Sequence, residues 1–313
     1  MAEAIRGVGA GSELTVPPAA PTRWSRLATT VGPTLEILRR DRFALAGVLI
    51  YLVMIVVAIL APVLAPNDPH VVMQEGGLWL TNLEPSREFP LGTTNAGRDI
   101  FSQLIYGTRP ALLVGFSAAF FVAVIGTIVG LIAGFFGGRV DALLMRLTDV
   151  AFGIPFLPFV IVLVAFLRPS IWNIVLSMAL LLWRDTARVI RSQVLTVRER
   201  SFVQAAKISG ASSWRTIFLY IAPNILSLSF LYGTLAIGWA ILTEASVSFL
   251  GFGDPTVISW GYMLQDAYVS QALAREAYYW FVPPGVCIML AVMAGFFIGR
   301  GYEELLFPRL RER

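Results

Sequence analysis

Apolar residues in this chain come in long unbroken runs, not in the alternation of half-buried strands or the three-to-four spacing of surface helices. Six runs stand out, at 43–65, 111–136, 151–167, 171–191, 221–251 and 280–298. A helix needs roughly 20 apolar residues to cross a hydrocarbon core of about 30 Å. The pattern therefore predicts an all-α integral membrane protein with six transmembrane helices. The fourth run is the weakest, because its uninterrupted apolar part, 171–183, has only 13 residues. It must continue as an amphipathic turn or two that keeps Arg184, Asp185 and Arg188 on a protein-facing or interfacial side. Arg168-Pro169-Ser170 predicts a tight turn between the third and fourth spans. If that pair forms a re-entrant hairpin instead, both its ends still lie on one side and the later topology is the same.

The segments between the runs carry the orientation. Residues 1–22 are rich in Ala, Gly and Pro and lack the apolar core of a signal peptide, which predicts a disordered tail. From Trp24 to Arg42, Leu27, Val31, Leu35 and Leu38 mix with Arg26, Arg39, Arg40 and Arg42. That mixture predicts a juxtamembrane helix, so 1–42 reads as a cytoplasmic tail and interfacial helix. With both termini in the cytoplasm, 19 of the 24 basic residues fall inside and only Arg87, Arg98, Arg109, Arg168 and Arg275 fall outside. The opposite orientation violates the positive-inside rule. Residues 66–110 and 252–279 are then extracytoplasmic, while the loop 201–220 and the tail 299–313 face the cytoplasm.

Composition narrows the function. Hydrophobic residues make up 57% and charged residues 14%, against roughly 25% charged in a soluble domain. The net charge is +4, yet the arginines are spread between apolar runs and form no stripe with interleaved aromatics, so no nucleic-acid partner is expected. One cysteine, Cys287, and one histidine, His70, allow neither a disulfide nor a Cys/His metal cluster within the chain. A phosphate loop needs Gly-x-x-x-x-Gly-Lys-Ser/Thr. The only lysine, Lys207, is followed by Ile208, so the chain has no ATPase site and is not expected to be an enzyme or to hold a cofactor.

The inner loop carries the most information, in the stretch RERSFVQAAKISGASSWRTIFLYIAPN. Ser201 and Gln204 have capping-box spacing, and Gly210 has the freedom to close the helix in the left-handed conformation. The result is a helix of about 12 Å, with Phe202, Ala205, Ala206 and Ser209 on one small apolar face. Such a helix, tethered to two spans, is shaped to sit in another protein's groove.

This stretch resembles the coupling loop of ABC importer permeases, whose pattern runs Glu-Ala-Ala, three residues, Gly, nine residues, Ile-x-Leu-Pro. Gln204-Ala205-Ala206, Gly210 and Pro223 fall at those positions, with Gln204, Tyr220 and Ala222 departing from the pattern. LGTTNAGRDIFSQLIYGTRPALLVG from Leu91, GGRVDALLMRLTDVAFGIP from Gly137 and ILTEASVSFLGFGDP from Ile241 are similar to the dipeptide and oligopeptide branch, so the likeness covers nearly all of the chain after residue 40. The resemblance implies the MetI-like architecture of type I importers in a bacterial inner membrane. It also implies four kinds of contact: a second homologous permease, two ABC ATPase subunits that bind ATP and Mg, an extracytoplasmic substrate-binding protein, and lipid. Residues Ser201, Phe202, Gln204, Ala205, Ala206 and Gly210 would couple to the ATPase. The substrate class implied is peptide, with nickel and oligosaccharide as relatives' alternatives.

Outside that loop, two roles are open for Glu244 in the fifth span: a contact in the translocation path, or a buried structural hydrogen-bonding group. Arg98 and Asp99, in a turn with Gly92 and Gly97, either receive the binding protein or brace the loop against span one. Gly126, Gly130 and Gly134 lie on one helix face and predict close packing. An ATPase-independent secondary transporter is the rival class, but the chain has no inverted halves and only one mid-span acid.

Overall fold

The computed structural model describes residues 41–306; the tail and juxtamembrane helix expected at 1–40 lie outside the described residues. The first helix, α1, is Arg42–Leu64, started by Asp41, whose carboxylate accepts the Phe43 N–H at 2.8 Å. It ends in the turn containing Pro62, one residue before Ala65-Pro66. Helix α1 seats on the last span through a glycine. A Cβ at Gly47 would lie 2.6 Å from the Ala294 carbonyl, and Tyr51 Oη donates to the Ala291 carbonyl at 2.8 Å.

An outer segment follows. A hairpin pairs β1, Gln74–Glu75, with β2, Leu78–Trp79, in antiparallel register Gln74 to Trp79. Its two-residue turn is Gly76-Gly77, with φ of 59° and 82°, the double positive φ that a twist-matched hairpin turn requires. Helix α2, Ile100–Phe136, starts 11 residues before the apolar run it contains. The added turns carry the buried polar residues Gln103 and Thr108 and also Arg109, whose Nε donates to the Ala58 carbonyl at 2.7 Å.

The third run is not one straight span. Helix α3, Gly138–Gly153, and helix α4, Phe156–Leu167, are bent by 87° at Ile154-Pro155. Proline removes a donor and restricts the residue before it, which accounts for the break there. The expected tight turn is present: Arg168 has φ 79°, and Asn173 Nδ2 donates to the carbonyls of Leu167 and Arg168 at 3.1 and 2.9 Å. Helix α5, Ile171–Arg198, runs seven residues past the expected 191. Its charged half is held by α3: Arg191 grips Asp141 with two bonds of 2.5 Å, and Arg188 reaches Asp149 at 2.6 Å.

Helix α6 is Ser201–Ile208; α7 is the continuous helical stretch Ser213–Phe249; α8 is Trp260–Val269; α9 is Tyr278–Leu306. Among the described residues, α1, α2, α7 and α9 are long and apolar enough to cross a membrane, and the bent pair α3–α4 makes a fifth if taken as one span. Helices in lipid associate through close packing rather than hydrophobic expulsion, so small residues decide which pairs meet. The glycine face of α2 meets α5 in this way. A Cβ on Gly130 would lie 2.7 Å from the Ala187 carbonyl and Ile190 Cβ, and one on Gly134 2.7 Å from Val194 Cβ. At the end of the bundle where α2 begins, α8 packs against it, with Trp260 Nε1 donating to the Leu104 carbonyl at 3.0 Å and Trp260 and Trp280 fully buried.

Candidate functional site

The loop at 199–212, expected to be cytoplasmic, is built by two helix ends and one short helix. Helix α5 closes when the Arg200 N–H bonds back to the Val197 carbonyl at 3.1 Å. That turn places Arg200, with φ −69° and ψ 146°, at the cap position of α6. The expected capping box is therefore corrected. Ser201 is the first helical residue, and no side chain caps the helix. Gln204 Nε2 donates instead to the Arg198 carbonyl at 3.2 Å and to Glu199 Oε2 at 3.4 Å. The cap register follows from where α5 ends, one residue before Ser201 can use its hydroxyl.

The other end behaves as the sequence predicts. Gly210 has φ 81°, its N–H bonds to the Lys207 carbonyl at 3.0 Å, and the Ala211 N–H bonds to the Ala206 carbonyl at 3.0 Å. That pair of bonds is a Schellman closure, which needs a residue content with positive φ.

The face assignment changes in one position. Phe202, Ala205 and Ser209 are exposed, as is Ile208 at 87%, but Val203 and Ala206 are buried. Val203 joins Ile217 and Ile221 of α7 in one buried apolar cluster. Ala206 thus faces the chain's own core, and Ile208 takes its place on the outward face. The missed signal is the three-residue step from Val203 to Ala206, which becomes decisive only with Ile217 and Ile221 beside it.

The loop runs straight into α7. Ser212 Oγ accepts the Arg215 N–H at 3.3 Å to begin α7. Residues Thr216–Ile221 then form a π-turn, closed by the Ala222 N–H on the Ile217 carbonyl. Pro223 follows, and Asn224 Nδ2 donates to the Tyr220 carbonyl at 2.6 Å. Proline lacks a donor, so the wider turn and the asparagine absorb the disturbance. Beside it Phe136 meets Trp214 edge to face at 6.1 Å between ring centroids, and Trp214 stacks on Phe218 at 5.9 Å.

The remaining candidates turn inward. Asp99 is fully buried and caps α2, accepting the N–H groups of Phe101 and Ser102, the Ser102 hydroxyl at 2.5 Å and Asn67 Nδ2 at 3.2 Å. It ties the end of α1 to the start of α2. Arg98 points to α8, with Nη1 3.5 Å from Tyr262 Oη. Burial pushes the Asp266 carboxyl up, and the Arg98 guanidinium opposes that shift. Glu244 is 3% exposed and accepts the Ser248 hydroxyl at 2.7 Å. A separate cavity of about 810 Å³ opens between α1, α2, α7 and α9, with Tyr51, Phe116, Phe120 and Phe230 among its walls. Its polar residues include Thr127 and Ser229, paired to each other at 2.8 Å. Glu244 does not line it. Among the described residues no group of three or more His, Cys, Asp or Glu is placed to hold a metal ion.

A short exposed helix tethered between spans by a Gly-closed loop is the geometry on which comparison with known proteins bears. The family model described as the binding-protein-dependent transport system inner membrane component matches residues 126–312, more than half of the chain. The chain belongs to that permease family. Residues 34–85 of the permease also match the N-terminal membrane domain of oligopeptide transport permease C. It is 35% identical to a dipeptide transport system permease protein of Alkalihalophilus pseudofirmus, over 90% of this chain and 92% of the relative. It is 34% identical to the corresponding dipeptide permease of Bacillus subtilis over 88% and 84%, and 35% identical to that organism's oligopeptide transport system permease protein over 88% of each. The permease is a multi-pass inner-membrane protein, and catalysis is not its role in the transport system.

Proposed function

We propose that this permease forms half of the translocation path of an ATP-driven peptide importer and receives the ATPase stroke on helix α6. The observation that carries the reading is the outward face of that helix: Phe202, Ala205, Ile208 and Ser209 exposed to water on an element whose other face is locked to span five. Apolar groups held in water on a preformed helix are matched to a partner's groove. Dipeptide and oligopeptide transport in the names of its relatives supports peptide as the cargo, ahead of nickel or oligosaccharide. The path is completed by a second permease against the groove between α2 and α7, two ATPase subunits bind ATP and Mg, and an extracytoplasmic binding protein delivers substrate.

In this reading the chain crosses the membrane six times, with α3–α4 as a broken span and α5 as a span whose charged half is neutralised by α3. Both termini are cytoplasmic. Closure of the ATPases pushes α6, which moves α7 through Val203, Ile217 and Ile221, and the π-turn at Thr216–Ile221 is where the rod bends. Glu244 is a buried structural hydrogen-bonding group of α7, and Asp99 braces α1 to α2.

The test is Gly210→Val in the complete complex reconstituted in vesicles. A β-branched residue at φ 81° is strained, so the end of α6 is expected to unwind while the spans insert normally. Uptake and substrate-stimulated ATP hydrolysis are expected to collapse together. Wild-type assembly, hydrolysis and uptake in the variant would contradict the assignment.

A further inference from the structure

A second line of contacts leaves α6 and ends on a different span. The last carbonyls of any helix lack partners within it. In α2 two of them, Gly134 and Phe135, accept Arg198 Nη1 at 3.1 and 3.2 Å. Arg198 Nε donates to Glu199 Oε1 at 3.1 Å, Glu199 Oε2 accepts Gln204 Nε2 at 3.4 Å, and Lys207 Nζ lies 5.4 Å from the centre of the Phe135 ring. A chain of polar contacts therefore runs from the α6 side chain Gln204 to the cytoplasmic end of α2. Helix α2 is a 37-residue rod, roughly 55 Å long at 1.5 Å per residue. Its far end is pinned by Asp99 to α1 and by Leu104 to Trp260 of α8. Displacement at Arg198 is thus delivered to the outer mouth, independently of the apolar route through α7.

We infer that Arg198 and Glu199 are positioning residues that couple helix α6 to α2, with Gln204 as the donor that joins them to it. The inference rests on the reading of α6 as the ATPase-docking helix. It also accounts for the departure of this loop from its family's pattern. A glutamate at position 204 would face Glu199 across 3.4 Å, carboxylate against carboxylate, and the hydrogen bond would be lost. Here the acid sits at 199 and the amide at 204, so the neutral residue is the one that fits. Glu199 is 63% exposed and its pair with Arg198 adds little to folding in water. Its contribution lies in transmission, once a partner covers α6 and excludes solvent.

The experiment measures uptake per ATP hydrolysed by the full complex in vesicles. Arg198→Ala is expected to assemble and hydrolyse ATP but to lose about tenfold in uptake per ATP, the scale of one charge-assisted hydrogen bond. Arg198→Lys, which keeps the charge but not the fork, recovers part of it. Gln204→Glu, although it restores the family residue, is expected to lower uptake per ATP. The exchanged pair, Glu199→Gln with Gln204→Glu, is expected to restore it, because the amide moved to position 199 then donates to the carboxylate moved to 204. This exchange leaves Arg198 intact, so it decides the matter even if Arg198→Ala fails to fold. An unchanged ratio in Gln204→Glu, or no recovery in the exchanged pair, overturns the relay while the ATPase reading stands. Full assembly, hydrolysis and uptake in Gly210→Val overturns the parent reading instead.

Discussion

The turn at 92–99, which we read as outer, and the loop at 199–210, which we read as inner, both offer polar and small residues at the end of a bundle, yet the chain treats them in opposite ways. Outside, Asp99 is fully buried with its carboxylate hydrogen-bonded to Asn67, Phe101 and Ser102 of its own chain, and Arg98 faces Tyr262 and Asp266. Inside, α6 has no side-chain cap, and Ile208 stands 87% in water. A charged pair in a loop therefore gives no indication of docking when its partners are within reach. The apolar side chains of Phe202 and Ile208, by contrast, stand exposed on a helix closed by Gly210, and it is on them that the proposed docking rests. The turn at 92–99 is a brace, and the loop at 199–210 is, in the function we propose, a handle.

That contrast is open to tests graded by their effect on folding stability. The largest loss belongs to Asp99→Ala, which removes a helix cap and leaves Asn67 and Ser102 without their acceptor. About 3 kcal/mol is expected, read as lower thermal stability in detergent; a variant as stable as wild type would deny the brace. Gly130→Val comes next, because its Cβ meets the Ala187 carbonyl at 2.7 Å. Overpacking of this kind costs about 2 kcal/mol, and separation of α2 from α5 is detectable as faster proteolysis at the α2–α3 junction. Gly210→Val is expected to cost only about 1 kcal/mol of local strain, since nothing lies within 4 Å of the new side chain, yet it abolishes uptake. Arg188→Ala closes the series at about 0.5 kcal/mol or less, as both partners of that pair are more than half exposed. Topology is tested separately: with Cys287 replaced by serine, a cysteine at the exposed Glu88 is expected to label with an impermeant thiol reagent in intact cells.

Much of this was legible in the amino-acid order, and what was not has identifiable causes. Apolar runs mark α1 and α9 because lipid demands them, and Gly126, Gly130 and Gly134 mark a face of close packing, though only the structure shows that α5 fills it. The start of α2 was not visible, since Gln103, Thr108 and Arg109 read as loop but are accommodated by the brace and by the Ala58 carbonyl, which accepts Arg109 Nε at 2.7 Å. The break in the third run follows from Pro155, but its 87° angle belongs to the assembled fold, in which α5 contacts α3 through Asp141 and Asp149. In α6 the closing glycine was readable and the cap was not: Gly210 acts through its own backbone, whereas the cap depends on where the preceding helix ends. Ala206 and Ile208 exchanged roles for a similar reason, as a two-turn helix carries too little periodicity to say which side its neighbours occupy.

The central claim, that α6 is a surface made to be covered by an ATPase, is tested most directly by a single cysteine at Ile208 in a chain lacking Cys287. In inside-out vesicles the permease without ATPase subunits is expected to react quickly with a soluble maleimide, matching the 87% exposure of that position. With the ATPase subunits bound, the rate is expected to fall by at least about tenfold, as for a side chain at the centre of an interface. Equal labelling rates with and without the ATPases, in vesicles where the complex demonstrably assembles, would contradict the account.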